Sequence, residues 1–280
     1  MRKQVVAAAV TGHGFPAACT NVTGKLPALA LALALAAAAP AAAQTLKQLP
    51  FDKQLTLAKV GDVDAQFEVG LAYETGRGAT VDEVEAARWF RQAALQGNVE
   101  AQFHLAGLVA RGAKGLKQDF ATALKLYQDA AAKGHAQAMN ALGKAYQQGK
   151  GAEADLAKAA EWYAKAAELR LADAQNNLGM LYLEGKGVNR DLARAFRLFE
   201  SAAAQNDPWG LNNLGGLYEM GWGTTPDAAR ALELYRQSLA QGNEKAQENI
   251  ARLEAKSGTE IKSGTEAPAA QPVEPEQGVN

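Results

Sequence analysis

The chain repeats itself, and this constrains its fold more than any other feature. An apolar residue followed by a small one recurs at Val69-Gly70, Leu105-Ala106, Leu142-Gly143, Leu178-Gly179, Leu214-Gly215 and Ile250-Ala251, at intervals of 36 or 37 residues. Four positions earlier stands Ala65, Ala101, Ala138, Ala174, Gly210 or Ala246. Four positions later come Tyr73, Val109, Tyr146, Tyr182 and Tyr218, then a glycine pair such as Gly149/Gly151 or Gly185/Gly187. An acid follows at Asp82, Asp119, Asp155, Asp191 and Asp227. Each unit closes on a bulky pair: Trp89-Phe90, Leu126-Tyr127, Trp162-Tyr163, Leu198-Phe199 or Leu234-Tyr235. A unit of this size cannot bury its apolar stripe alone, so the units must stack and share a continuous core.

The local pattern is that of two helices per unit. Offsets −4, 0, +1 and +4 about Leu178 fall on one side of a helix turning about 100° per residue. Ala195, Leu198, Ala202 and Ala203 repeat the pattern about Phe199. The glycines sit where the first helix must stop, because glycine tolerates the left-handed conformation of a helix C-terminus. The aspartate that follows suits the N-cap of the second helix. Asp207-Pro208 and Pro226 mark helix starts in the last unit. The expected fold class is therefore all-α, an α-solenoid of about five antiparallel helical hairpins over residues 62–253. Residues 44–61 supply a lone second helix as an N-terminal cap, and Ala246–Leu253 a lone first helix as the closing half-repeat.

The Leu-Gly-x-x-Tyr core, the Gly-x-Gly turn and the Trp-Tyr-x-x-Ala-Ala run resemble the Sel-like repeat (SLR) family, relatives of tetratricopeptide repeats. The resemblance implies a right-handed superhelix and a role in adaptor or assembly functions. The second unit departs most, with Val109 for tyrosine and a longer glycine turn, which makes the second interval 37 residues.

The two ends differ from the array. After Lys25 comes an apolar run of 14 residues, Leu26 to Ala39, short of the roughly 20 that span a bilayer. Ala41-Ala42-Ala43 then fits the pattern read by signal peptidase. Residues 1–43 read as a signal peptide cleaved between Ala43 and Gln44, or one starting at Val22, with no stable membrane insertion afterwards. The expected location is periplasmic or secreted. Beyond Glu254, KSGTE occurs twice and a Pro/Glu/Gln-rich stretch follows, so residues 254–280 are expected to be disordered.

Composition excludes several chemistries. The formal charge of the whole chain is −1, without the basic footprint that nucleic acid requires. Cys19 lies before the expected cleavage site, so the exported chain would carry no thiol. His104 and His135 have no partner at metal-ligand spacing. The five Gly-x-Gly turns follow helices and lack the completions of a phosphate loop. No nucleophile-base constellation is present, and neither a cofactor nor a metal is expected. The expected protein is not an enzyme; a cell-wall or β-lactam hydrolase, suggested only by some secreted relatives, is the minor alternative.

By resemblance to tetratricopeptide arrays, the side of each first helix opposite the core stripe faces a concave groove. The partner-binding candidates there are Phe67, Leu71, Phe103, Asn140, Lys144, Asn176, Met180, Leu183, Trp209, Asn212 and Met220, with Trp222 beside them. Asn140, Asn176 and Asn212 share one offset in consecutive units. Two readings stand open: these amides pair with the backbone of an extended peptide, or they join adjacent units. Methionine and tryptophan nearby favour an interface anchor. The expected function is a non-catalytic scaffold holding a protein or peptide segment in cell-envelope assembly or signalling. A glycan stacked on Trp209 and Trp222 is the alternative partner.

Overall fold

The computed structural model describes residues 46–112 and 115–264. The expected signal peptide, with Ala43 and Gln44, lies outside the described residues. Among those described, a short helical segment at 46–48 precedes twelve longer α-helices: α1 (Phe51–Lys59), α2 (Val63–Thr75), α3 (Glu83–Leu95), α4 (Val99–Arg111), α5 (Phe120–Ala132), α6 (Ala136–Gln148), α7 (Leu156–Glu168), α8 (Ala172–Glu184), α9 (Leu192–Ala203), α10 (Pro208–Met220), α11 (Ala228–Ala240) and α12 (Lys245–Gly264). The array is all-α. Each helix packs on its predecessor and its successor, so α2–α3, α4–α5, α6–α7, α8–α9 and α10–α11 are hairpins in a stack.

Local chemistry sets the helix ends. Asp82, Asp119, Asp155, Asp191 and Asp227 each accept a hydrogen bond from a backbone N–H in the first turn of the second helix. This satisfies one of the donors that a helix start leaves without a partner. First helices use more varied caps: Asp62, Asn98, His135 through its ring Nδ1, and Asp207. Leu171 opens α8 without any side-chain cap. The glycine turn is tied to its place in the stack. At Gly187, with φ +71°, a Cβ would lie 2.3 Å from the backbone of Leu156 in the preceding second helix.

The core lies between the two helices of each hairpin and the next. Phe90, Tyr163, Phe199 and Tyr235, the second members of four of the five bulky pairs, are almost completely buried, and Tyr127 is half-buried. Burial of such a side chain contributes about 1.5–3 kcal/mol. The small residue after the core leucine makes room for the ring: a Cβ at Gly143 would lie 2.5 Å from Tyr163. Leu105, Leu142, Leu178 and Leu214 are buried, as is Ile250 in the closing helix.

First helices approach one another across neighbouring units, α2 with α4 and α8 with α10, more closely than second helices do. The array therefore curves with the first helices on its inner side. The closing helix α12 runs from Lys245 to Gly264 and packs on α11.

Candidate functional site: the inner strip

The candidate residues sort into three groups by exposure. Asn140 is buried. Phe67, Leu71, Phe103, Asn176, Met180, Leu183 and Asn212 are half-buried, and Lys144, Trp209 and Met220 are exposed. Phe67 and Leu71 pack on the core of the first two units, Phe103 on that of the third, and Met180 and Leu183 on that of the fifth. Much of the apolar surface offered by these side chains is thus taken up by neighbouring units.

The asparagines join units. Asn177 Nδ2 donates to Asn140 Oδ1 at 2.9 Å. Asn213 donates to Asn176 at 2.8 Å, and Asn249 to Asn212 at 2.8 Å. Each bond runs from the residue just before one core position to the residue two before the previous core position. The partners Asn177, Asn213 and Asn249 are absent from the candidates above, although they too recur at intervals of 36 residues. At the first junction the same two positions are Phe67 and His104, with ring centroids 5.6 Å apart. At the second they are Phe103 and Ala141, and Phe103 stacks instead on His135 at 4.7 Å.

Ionic and hydroxyl contacts add to these junctions. His104 Nδ1 lies 2.8 Å from Glu74 Oε2, and Arg111 reaches Glu74 and Glu83 at 3.4 and 3.2 Å. The hydrogen bond with His104, aided by Arg111, holds the Glu74 carboxyl below the usual glutamate range against the opposing effect of burial. At the far end, Tyr235 donates to Glu219 at 2.9 Å, and Arg252 of α12 pairs with the same carboxylate. Arg252 likewise lowers the Glu219 pKa. In the middle, Tyr163 donates to Gln147 at 2.6 Å.

Two clefts open along this strip. One, of about 340 Å³, lies between α4, α5 and α6, with Arg111, Lys144, Lys150, Gln148 and Tyr127 around it. The other, of about 230 Å³, lies between α8, α10, α11 and α12, lined by Leu183, Asn212, Met220 and Trp222. Lys144 and Gly216 are equivalent positions two units apart, as are Gln148 and Met220. The clefts therefore sit at corresponding places on one strip. The second brings together Leu183, Asn212, Met220 and Trp222. Trp209 stands apart, about 16 Å away along α10 by helix rise, beneath the ammonium of Lys245.

Among the described residues, no helix is long and apolar enough to cross a membrane. No group of three or more His, Cys, Asp or Glu among them is placed to hold a metal ion.

The Sel1 repeat model matches residues 63–98, 99–135, 136–171, 172–207 and 210–243. The chain belongs to the Sel1 repeat family, whose members generally act as scaffolds for protein–protein interaction. Its fold is similar to that of a protective antigen of uropathogenic Escherichia coli displaying an SLR fold. That match has 32% identity and a TM-score of 0.67, over 78% of this chain and 45% of the antigen. It is also similar to a Sel1 repeat protein from Oxalobacter formigenes, with 29% identity and a TM-score of 0.65 over 73% of this chain and 85% of that one. The chain spans less than half the length of the antigen. No curated protein sequence matches it.

Proposed function

We propose that this protein is a non-catalytic scaffold that holds an extended segment of a partner protein along its inner strip, in the bacterial periplasm or outside the cell. The observation that carries this reading is the second cleft. It gathers the half-buried Leu183 and Asn212 with the exposed Met220 and Trp222, at 57% and 38% exposure. Methionine and tryptophan left open beside amide donors are suited to anchor a chain whose backbone also needs hydrogen-bond partners. Export is supported by the apolar run at 26–39 and the alanines before Gln44. The role is cell-envelope assembly or signalling.

The test uses a photo-crosslinking amino acid at Met220, with a control at Glu200 on the outer helix α9. Partner protein should be captured from position 220 and not from 200, and Trp222→Ala should reduce the yield several-fold. Equal capture from both positions, or capture from 200 alone, would refute the reading.

A further inference from the structure

The second and the last junctions of the strip share a hydroxyl and a cation and differ in the carboxylate. In the last junction, the Tyr235 hydroxyl and the Arg252 guanidinium converge on the carboxylate of Glu219. The corresponding positions around the first cleft are Tyr127, Lys144 and Ala110. Hydroxyl and cation are both retained, and a methyl group stands where the carboxylate would be. In the other units where the ring bears a hydroxyl, Tyr163 and Tyr235, the partner position supplies an acceptor. Tyr163 faces Gln147, which accepts its hydroxyl, whereas Phe90 and Phe199, which have no hydroxyl, accompany Glu74 and Leu183. Tyr127 alone of the five combinations keeps a hydroxyl opposite an alanine, and no hydrogen bond to that hydroxyl is found among the described residues.

We propose that the cleft between Tyr127 and Lys144 takes the carboxylate of a glutamate or aspartate from an extended segment of a partner protein, in the place that Glu219 occupies in the last junction. This rests on the scaffold reading above and adds the chemistry of the segment. The charges around the cleft complement it. Lys144 has no carboxylate within salt-bridge distance among the described residues, and Lys150 lies over the ring of Phe120. Arg111 adds a third cation, partly offset by Glu74 and Glu83. Among the described residues, no acidic side chain lines the cleft. Burial raises the Tyr127 pKa, so the hydroxyl remains a donor at neutral pH. A charge-assisted hydrogen bond to a carboxylate is about twice as strong as a neutral one, and the alanine-rich floor admits the aliphatic stem.

The test is an array of extended eight-residue peptides, each presented with a central Glu, Gln or Lys, against the full chain and its variants by fluorescence anisotropy. Glu peptides should bind at least about tenfold more tightly than their Gln counterparts, a factor worth about 1.4 kcal/mol. Lys144→Met should remove most of that preference; Lys144 is exposed and makes no ion pair among the described residues, so its loss should leave the fold intact. Ala110→Glu should supply the carboxylate from within, abolish the preference and raise the melting temperature. Met220→Ala should weaken all peptides alike. A Glu/Gln ratio unchanged by Lys144→Met overturns the proposal, as does inorganic phosphate displacing Glu peptides as well as a second Glu peptide does. Peptides that bind without preferring Glu defeat the carboxylate proposal and leave the scaffold standing. No binding by any peptide defeats both.

Discussion

The first two junctions of the array and the last three are joined by different chemistry at the same two positions. Between the first and second units, Phe67 meets His104, and Glu74 and Arg111 add charge. Between the later units, and onto α12, asparagine meets asparagine. The backbone stack is the same throughout. Four of the five junctions thus carry a directly matched pair at these positions, aromatic in one and amide in three. The second junction, Phe103 with Ala141, has the least to join it directly, and the larger of the two clefts opens there.

This comparison breaks first at the core. If the hairpin interior is equivalent in both halves, Leu105→Ala and Leu178→Ala should each cost about 2–5 kcal/mol in denaturant melts. The loss should spread to adjoining units, since solenoid stability is largely coupling between neighbours. Costs differing by more than the scatter of such substitutions would show that junction chemistry, not the core, sets local stability.

A smaller effect is expected from the amides. Changing Asn177, Asn213 and Asn249 together to Ala removes the three inter-unit amide pairs, with weaker contacts to Asn212, Met180 and Arg252, and should cost about 1 kcal/mol per amide pair, seen as a lower midpoint by circular dichroism. The proposed peptide binding should persist in the molecules that remain folded. An unchanged midpoint would mean that the amide pairs do not hold the units together.

Acid should separate the junctions at the least cost. The Glu74 and Glu219 carboxyls are held below the ordinary 4.5, by His104 and by Arg252 respectively. A depressed carboxyl contributes stability that is fully present above its unfolded value and lost as pH falls through the folded one. Hydrogen exchange below about pH 4.5 should therefore accelerate at the first junction and at α12 before it does at the Asn140–Asn177 and Asn176–Asn213 junctions. Uniform acceleration would remove the distinction.

Much of this was legible in the chain itself. A period of 36, glycine pairs at helix ends and aspartates before the second helices follow from local chemistry, which reads the same in any context. The buried rings and the glycine opposite them were also visible, because a solenoid repeats its core and five copies reveal which positions are fixed. The sequence likewise marked the strip on which Lys144 and Met220 lie. It did not decide what Asn140, Asn176 and Asn212 do, since their partners come from the next unit, 37 residues on. Nor did it separate Trp209 from Met220, or reveal that Ala110 stands opposite Tyr127 where Glu219 stands opposite Tyr235. Those relations join side chains on different helices. Helical periodicity assigns a residue to a face, but which groups meet across two faces depends on the rise and rotation between stacked units, and only the tertiary packing supplies these.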